Sequence, residues 1–338
     1  MRKEASLEQW RALYGTATRI KELRPWERFW DMDLIGIKYG EDEDIVFFSI
    51  LGRGGECYGI AVYEGYEGLN RFLMLTMHQN MNLSAEYVMF NQRNLTCYWG
   101  NRDELTDKQR KIIKDLGYSY RGKNQWLYFL SFEPGYYPYN LDSEEVARLS
   151  EYFQDLELVL KDYDDVNMKV DFENGNMLLF SFDKDKETWN FGEAPLPFTS
   201  FQFGNLLITD EELLTNLAEA PKSSAVLEAD ISVMGARIDD KKYSRPANPA
   251  LVLLGDAASE MIISFEMTEP DDDSNIMLAE MVIHFIFQYG APKEIRVTNI
   301  IVEAGLEQIC DVCGIKLRRV KRLHGLDSFI KGMGRFGL

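Results

Sequence analysis

Residues 250–267 read ALVLLGDAASEMIISFEM, and this stretch decides the fold class. Two apolar runs of strand length, 250–255 and 261–267, flank a turn at 257–260. The following run SNIMLAEMVIHFIFQY (274–289) has helical length and is apolar nearly all round. Beyond it the pattern predicts a strand at 294–298, a helix at 303–313, a strand at 316–320 and a last helix at 326–332. A β-β-α-β-α-β-α order implies a sheet with helices packed on it.

Working outward from that frame, Ser6 is placed as the N-cap of a helix over 6–24, with Trp10, Leu13, Tyr14, Ala17 and Ile20 on one face. Strands follow at 33–39, 45–51 and 57–63, separated by an acidic turn at 40–44 and a glycine turn at 52–55. A helix near 68–78, a strand at 95–99, a helix at 103–116 stopping at Gly117 and a strand at 125–132 complete this part. Asp142 is expected to cap a long acidic helix reaching about 163. Asn174-Gly175 signals a hairpin. Residues 193–203, with Pro195 and Pro197, read as irregular, 210–220 as a short helix and 225–233 as a strand. The expected organisation is mixed α/β: a domain over 1–133, a connecting region over 134–243 and a second domain over 244–338. The strand-turn-strand-helix-strand-helix-strand layouts of 45–132 and 250–325 are alike enough to suggest a duplicated unit.

The 338 residues are 46% hydrophobic and 13% aromatic, ample for buried cores, and carry a net charge of −18. That charge weighs against general affinity for nucleic acid or anionic membrane, both polyanions. Charge is unevenly spread. Residues 141–190 hold 14 acids against 5 bases, whereas Lys316, Arg318, Arg319, Lys321, Arg322, Lys331 and Arg335 face Asp327 alone in the tail. Electrostatic docking of this basic tail on the acidic region, within one molecule or between two, is favoured over nucleic acid. No run reaches the roughly 18 apolar residues of a membrane span. With no apolar run behind Met1-Arg2-Lys3, and four cysteines expected to be reduced thiols, a cytoplasmic place is expected.

The segments WERFWDMD (26–33) and SILGRGGECYGIAVYEG (49–65) resemble the N-terminal part of an uncharacterised bacterial family of domains of unknown function, and residues 249–326 resemble its C-terminal domain. More distantly, LLGDAAS (253–259), the helix after it, Tyr289-Gly290-Ala291-Pro292-Lys293 and the strand 294–299 are similar to an integrase core of the ribonuclease H-like type. That resemblance implies a first-strand acid at Asp256, a second acid at Thr298-Asn299 and a third from a later helix. Together they would clamp two Mg²⁺ ions. Asn299 is neutral, the last helix offers only Asp327, and Glu266 and Glu303 fall outside the pattern. In the N-terminal echo the first position is Arg53, a cation. The resemblance therefore implies the fold with its active site lost.

The remaining candidates each have an ordinary alternative. Cys310 and Cys313 form a single CxxC at the C-terminal end of a helix, where core thiols are favoured over a metal or redox pair. Glu280, His284 and Gln288 make one polar stripe, read as a solvent seam or as a general base with its tuning acid. Acids at 269–273 suit a helix N-terminus, and Gly52-Arg53-Gly54-Gly55 suits a tight turn. The balance is a non-catalytic binding or scaffold protein with no cofactor or metal, its partner protein or a second copy. The alternatives are a divergent metal-dependent nuclease using Asp256, with Glu266 or His284 as further candidates, and a small-molecule sensor.

Overall fold

The computed structural model describes residues 2–40, 44–166, 168–183, 188–197 and 206–335. They form two compact units, the first from Met1–Leu73, Gln92–Glu133 and Pro138–Thr199, the second from Met74–Asn91, Pro134–Tyr137 and Ser200–Leu338.

In the first unit, Ser6 and Gln9 close a reciprocal capping box (3.2 and 2.9 Å) that starts helix α1 (Leu7–Glu22). Strands β1 (Ile35–Lys38), β2 (Val46–Leu51) and β3 (Gly59–Glu64) lead into α2 (Gly65–Met81), whose residues from Met74 onward belong with α3 (Ala85–Phe90) to the second unit. Then come β4 (Asn94–Gly100), α4 (Asp107–Asp115), β5 (Trp126–Phe132), α5 (Ser143–Val166), β6 (Asn176–Asp183) and β7 (Thr188–Pro195). Asp142 accepts from the amides of Glu144 and Glu145 and so begins α5. The sheet order is β5-β4-β3-β2-β1-β6-β7, antiparallel except for the parallel β1–β6 pair. Strand β2 is buried on both faces. Val46, Phe48 and Ile50 join Trp10, Leu13 and Tyr14 of α1 and Phe153 of α5, while Phe47 packs with Leu69 and Phe72 of α2. Each such fully buried side chain contributes about 1.5–3 kcal/mol.

In the second unit, α6 (Glu211–Ala218), β8 (Val226–Val233), β9 (Ala250–Asp256), β10 (Met261–Met267), α7 (Ser274–Tyr289), β11 (Glu294–Val297), α8 (Ile300–Val312), β12 (Lys316–Arg319) and α9 (His324–Arg335) follow in turn. The sheet order is β10-β9-β8-β11-β12. The pairs β8–β9 and β9–β10 are antiparallel, and β8–β11 and β11–β12 are parallel. One face, with Leu227, Ala229, Ile231, Val252 and Leu254, packs on α7 and α8; the other, with Leu251 and Leu253, packs on Leu326 of α9.

Two sheets in a mixed α/β chain agree with the sequence reading, and four details differ. Residues 134–243, read as a connecting region, supply β6 and β7 to the first sheet and β8 to the second. Gly175 (φ +78°) ends a tight 3-10 turn ahead of β6, and the β6–β7 hairpin turns after Asp183, outside the described residues. Strand β7 runs on to Pro195, tolerated because β7 is an edge strand; residues 198–203 lie outside the described residues, as does most of the 40–44 turn. The duplication fails on strand order. Strands β2, β3, β4 and β5 are successive antiparallel neighbours, whereas the chain leaving β10 crosses back to set β11 parallel beside β8. Element order along a chain does not dictate which strand a helix delivers the next one to.

Candidate functional site

Strand β8 carries acids at alternate positions of an apolar run, VLEADISV (226–233), so Glu228 and Asp230 share the face opposite the α7–α8 core. Glu228 is 3% exposed and accepts from three backbone amides at the start of α9, those of His324, Gly325 and Leu326 (3.0, 3.0 and 3.2 Å). A carboxylate there satisfies amides that a helix start leaves unpaired and complements its dipole. Gly325 permits the approach, since a Cβ would lie 3.2 Å from Glu228 Oε2 and 3.1 Å from the Glu260 backbone.

Asp230 has a different environment. Burial, with the charge of Asp327 on the first turn of α9 added, pushes its carboxyl up to about 7, against lowering bonds from Ile231 and Thr298. Asn299 Nδ2 donates to Asp230 Oδ1 at 3.4 Å, while Asn299 Oδ1 caps α8 by accepting from Ile301 and Val302 (3.1 and 3.0 Å). The cap orients the amide so that its N–H, not an oxygen, meets Asp230. The alternating acids of β8 are the sequence signal for this cluster, and nothing in their spacing marks them off from an ordinary half-buried strand.

Asp256, the sequence's first-strand acid, pairs in register with Leu227, three residues or about 10 Å along β8 from the level of Asp230. Its carboxylate accepts from Ser259 N and Oγ (2.8 and 2.7 Å), which hold it below its usual range and cap the turn before β10. Glu266 is exposed on β10, opposite Val252 and four residues along β9 from Asp256, and Glu280 and His284 are exposed on α7. Cys310 and Cys313 are core thiols. Burial pushes Cys310 up to about 12 and raises Cys313, whose Sγ donates to Leu217 O. Asp273 caps α7 through the amides of Asn275 and Ile276. The 52–55 segment is a turn closed by Gly55 N to Gly52 O (2.9 Å). Among the described residues no group of three or more His, Cys, Asp or Glu side chains is placed to hold a metal ion, and no helix is long and apolar enough to cross a membrane.

In the basic tail, Lys316 and Arg318 lean on Glu294 with Arg296 (3.2, 3.7 and 2.9 Å), and Arg319 meets Glu303 at 2.6 Å. Lys321 and Arg322 are exposed. The acidic region likewise has bases of its own unit, Arg2 on Glu145 and Arg19 and Lys161 on Glu157.

A cavity of about 680 Å³ opens in the first unit among Tyr39, Asp44, Glu64, Glu151, Tyr152 and Asp155. Tyr39 Oη donates to Asp155 at 2.7 Å and Tyr152 Oη to Glu64 at 2.8 Å; Arg148 Nε reaches the same Glu64 oxygen at 3.0 Å. Burial raises the Asp155 carboxyl above its usual range, Glu151 adds to the rise, and the Tyr39 hydroxyl opposes it. Burial and the carboxylates raise both phenols. The sequence hint was Glu151 and Asp155, like charges four apart on one helix face, an arrangement that is unfavourable without compensation. Tyr39, Asp44 and Glu64 come from β1, the start of β2 and the end of β3, and no local pattern joins them.

Fold and sites define a mixed α/β chain of two units, each with its own collection of carboxylates. Residues 10–179, half of the chain, match the family model described as Domain of unknown function (DUF7309), and the chain belongs to that family. Residues 213–334 match a second model, Domain of unknown function (DUF6930). No curated protein matches the chain.

Proposed function

We propose that this chain is a non-catalytic binding protein that takes a small polycation in the cavity of its first unit. The cavity supports this reading: about 680 Å³, walled by two tyrosines and four carboxylates. Both hydroxyls donate to carboxylates, and burial with those carboxylates raises both phenols, so neither is poised as a phenolate nucleophile. The carboxylates retain lone pairs for ammonium donors, and tyrosine faces attract cations. A linear polyamine such as spermidine has the charge and length required. Calorimetric titration of the full chain with spermidine should show saturable binding that weakens with salt, and Asp155→Asn should weaken it about tenfold, or about 1.4 kcal/mol. No binding by the unaltered chain, or equal binding by the variant, would overturn the reading.

The second unit's strand order supports a ribonuclease H-like layout in which β8, not β9, is the first strand. Its three acid positions then fall on Asp230, Asn299 and Asp327. These residues do not fit a two-ion centre. Asn299 turns a hydrogen-bond donor toward Asp230, and a carboxyl titrating near 7 is held partly protonated at neutral pH. No phosphoryl-transfer step is derived from it, and the unit is read as part of the binding scaffold. Titration with Mg²⁺ and Mn²⁺ should give no saturable heat. Binding that disappears in Asp230→Asn would instead restore a metal-dependent enzyme.

A further inference from the structure

Strand β10 ends the second sheet with one edge unpaired among the described residues. Its apolar side chains are exposed: Met261 68%, Ile263 39%, Phe265 54% and Met267 50%. Glu266 is its single charge. Soluble proteins ordinarily blunt an exposed edge with lysine, proline or a bulge. The one such device here, a bulge between Ile262 and Ser264, leaves residues 264–267 in regular register with β9. Thr268 N donates to Ala250 O at 2.9 Å, so Thr268 turns its backbone toward β9. By the two-residue alternation of antiparallel ladders, Glu266 and Ser264 do the same. Phe265 and Met267 therefore point their N–H and C=O groups to the free edge.

We infer that this edge pairs with the same edge of a second copy, antiparallel about a two-fold axis at Phe265. An interface of this kind must be self-complementary, and the sequence MIISFEM satisfies that condition in this register. Phe265 meets its own counterpart, Met267 meets Ile263, and Glu266 meets the hydroxyl of Ser264. An axis one residue further on would set the two Glu266 carboxylates opposite each other, a destabilising arrangement. Charge thus disfavours that register and leaves the one centred on Phe265 free of a like-charge pair. The contact extends beyond the strand. Phe265 already lies against Phe329 of α9 (5.6 Å between ring centres), and the half-buried Ile330 and Met333 continue the same apolar surface. This extends the apolar patch beyond the strand onto α9. The inference does not rest on the ligand of the first-unit cavity.

Sedimentation velocity of the full chain over a micromolar concentration series tests it. A monomer–dimer equilibrium is expected, stronger at high salt because each copy carries −18, and Phe265→Lys should abolish it. A second variant keeps the test decisive if that lysine disturbs folding. In a hydrogen-bonded antiparallel pair the facing Cα atoms are about 5.5 Å apart, which a disulfide spans. Phe265→Cys, made with the exposed Cys57 changed to serine, should therefore form a covalent dimer on mild oxidation. Met261→Cys in the same background should not. A wild-type chain monomeric at all concentrations and salts would overturn the inference. So would a dimer that survives Phe265→Lys while Phe265→Cys fails to cross-link.

Discussion

The cavity of the first unit and the Asp230 end of β8 in the second both gather carboxylates, and they settle the charge by different means. Around the cavity, Asp155 and Glu64 accept from tyrosine hydroxyls and Arg148 supplies a cation. At Asp230 the neighbours are a second carboxylate, the Asn299 amide and hydrogen bonds from Ile231 and Thr298, none of them a cation, so the proton itself carries part of the compensation. Glu228, two residues away, accepts from three amides at the start of α9. Burial sets the cost of an acid's charge, and its neighbours decide how that cost is met.

The largest test of this contrast is pH. Asp230 titrates near 7 in the folded chain against 3.8 unfolded, so the folded state binds the proton more tightly. Its contribution is therefore greatest below about pH 4 and is lost as pH rises through 7. The whole shift is worth on the order of 4 kcal/mol. Urea unfolding at pH 5 and pH 8 should show this loss, and Asp230→Asn should flatten it; an equal slope in the variant would place the titration elsewhere. Next, Glu228→Ala should cost about 3 kcal/mol by leaving buried amides unpaired. Hydrogen exchange should quicken over residues 324–335, with the first-unit strands unchanged; unaltered protection there would mean α9 is held by its apolar face alone. The tenfold effect of Asp155→Asn on spermidine follows in size. Smallest, Asp256→Ala should cost about 1 kcal/mol through the lost turn bonds and leave the Asp230 titration where it was. A displaced titration would show that the two ends of the strand pair are coupled.

Much of the local structure was legible from the residues. Ser6 and Asp142 announce helix starts because a short side chain there accepts from amides three or fewer residues ahead. The apolar runs of β2, β9 and α7 announce themselves by period and length. Even the loss of charge at Asn299 could be read without a structure. Only the tertiary structure decided which strand β11 pairs with, and that choice set Asn299 beside Asp230 rather than Asp256. The cavity was hidden for the same reason, since its walls join residues 39 to 64 with 151 to 155. Caps and periodicity act between residues a few positions apart, so sequence expresses them directly. Sheet neighbours and the field around a carboxyl arise from groups distant in sequence, which only the folded chain brings within a few ångströms.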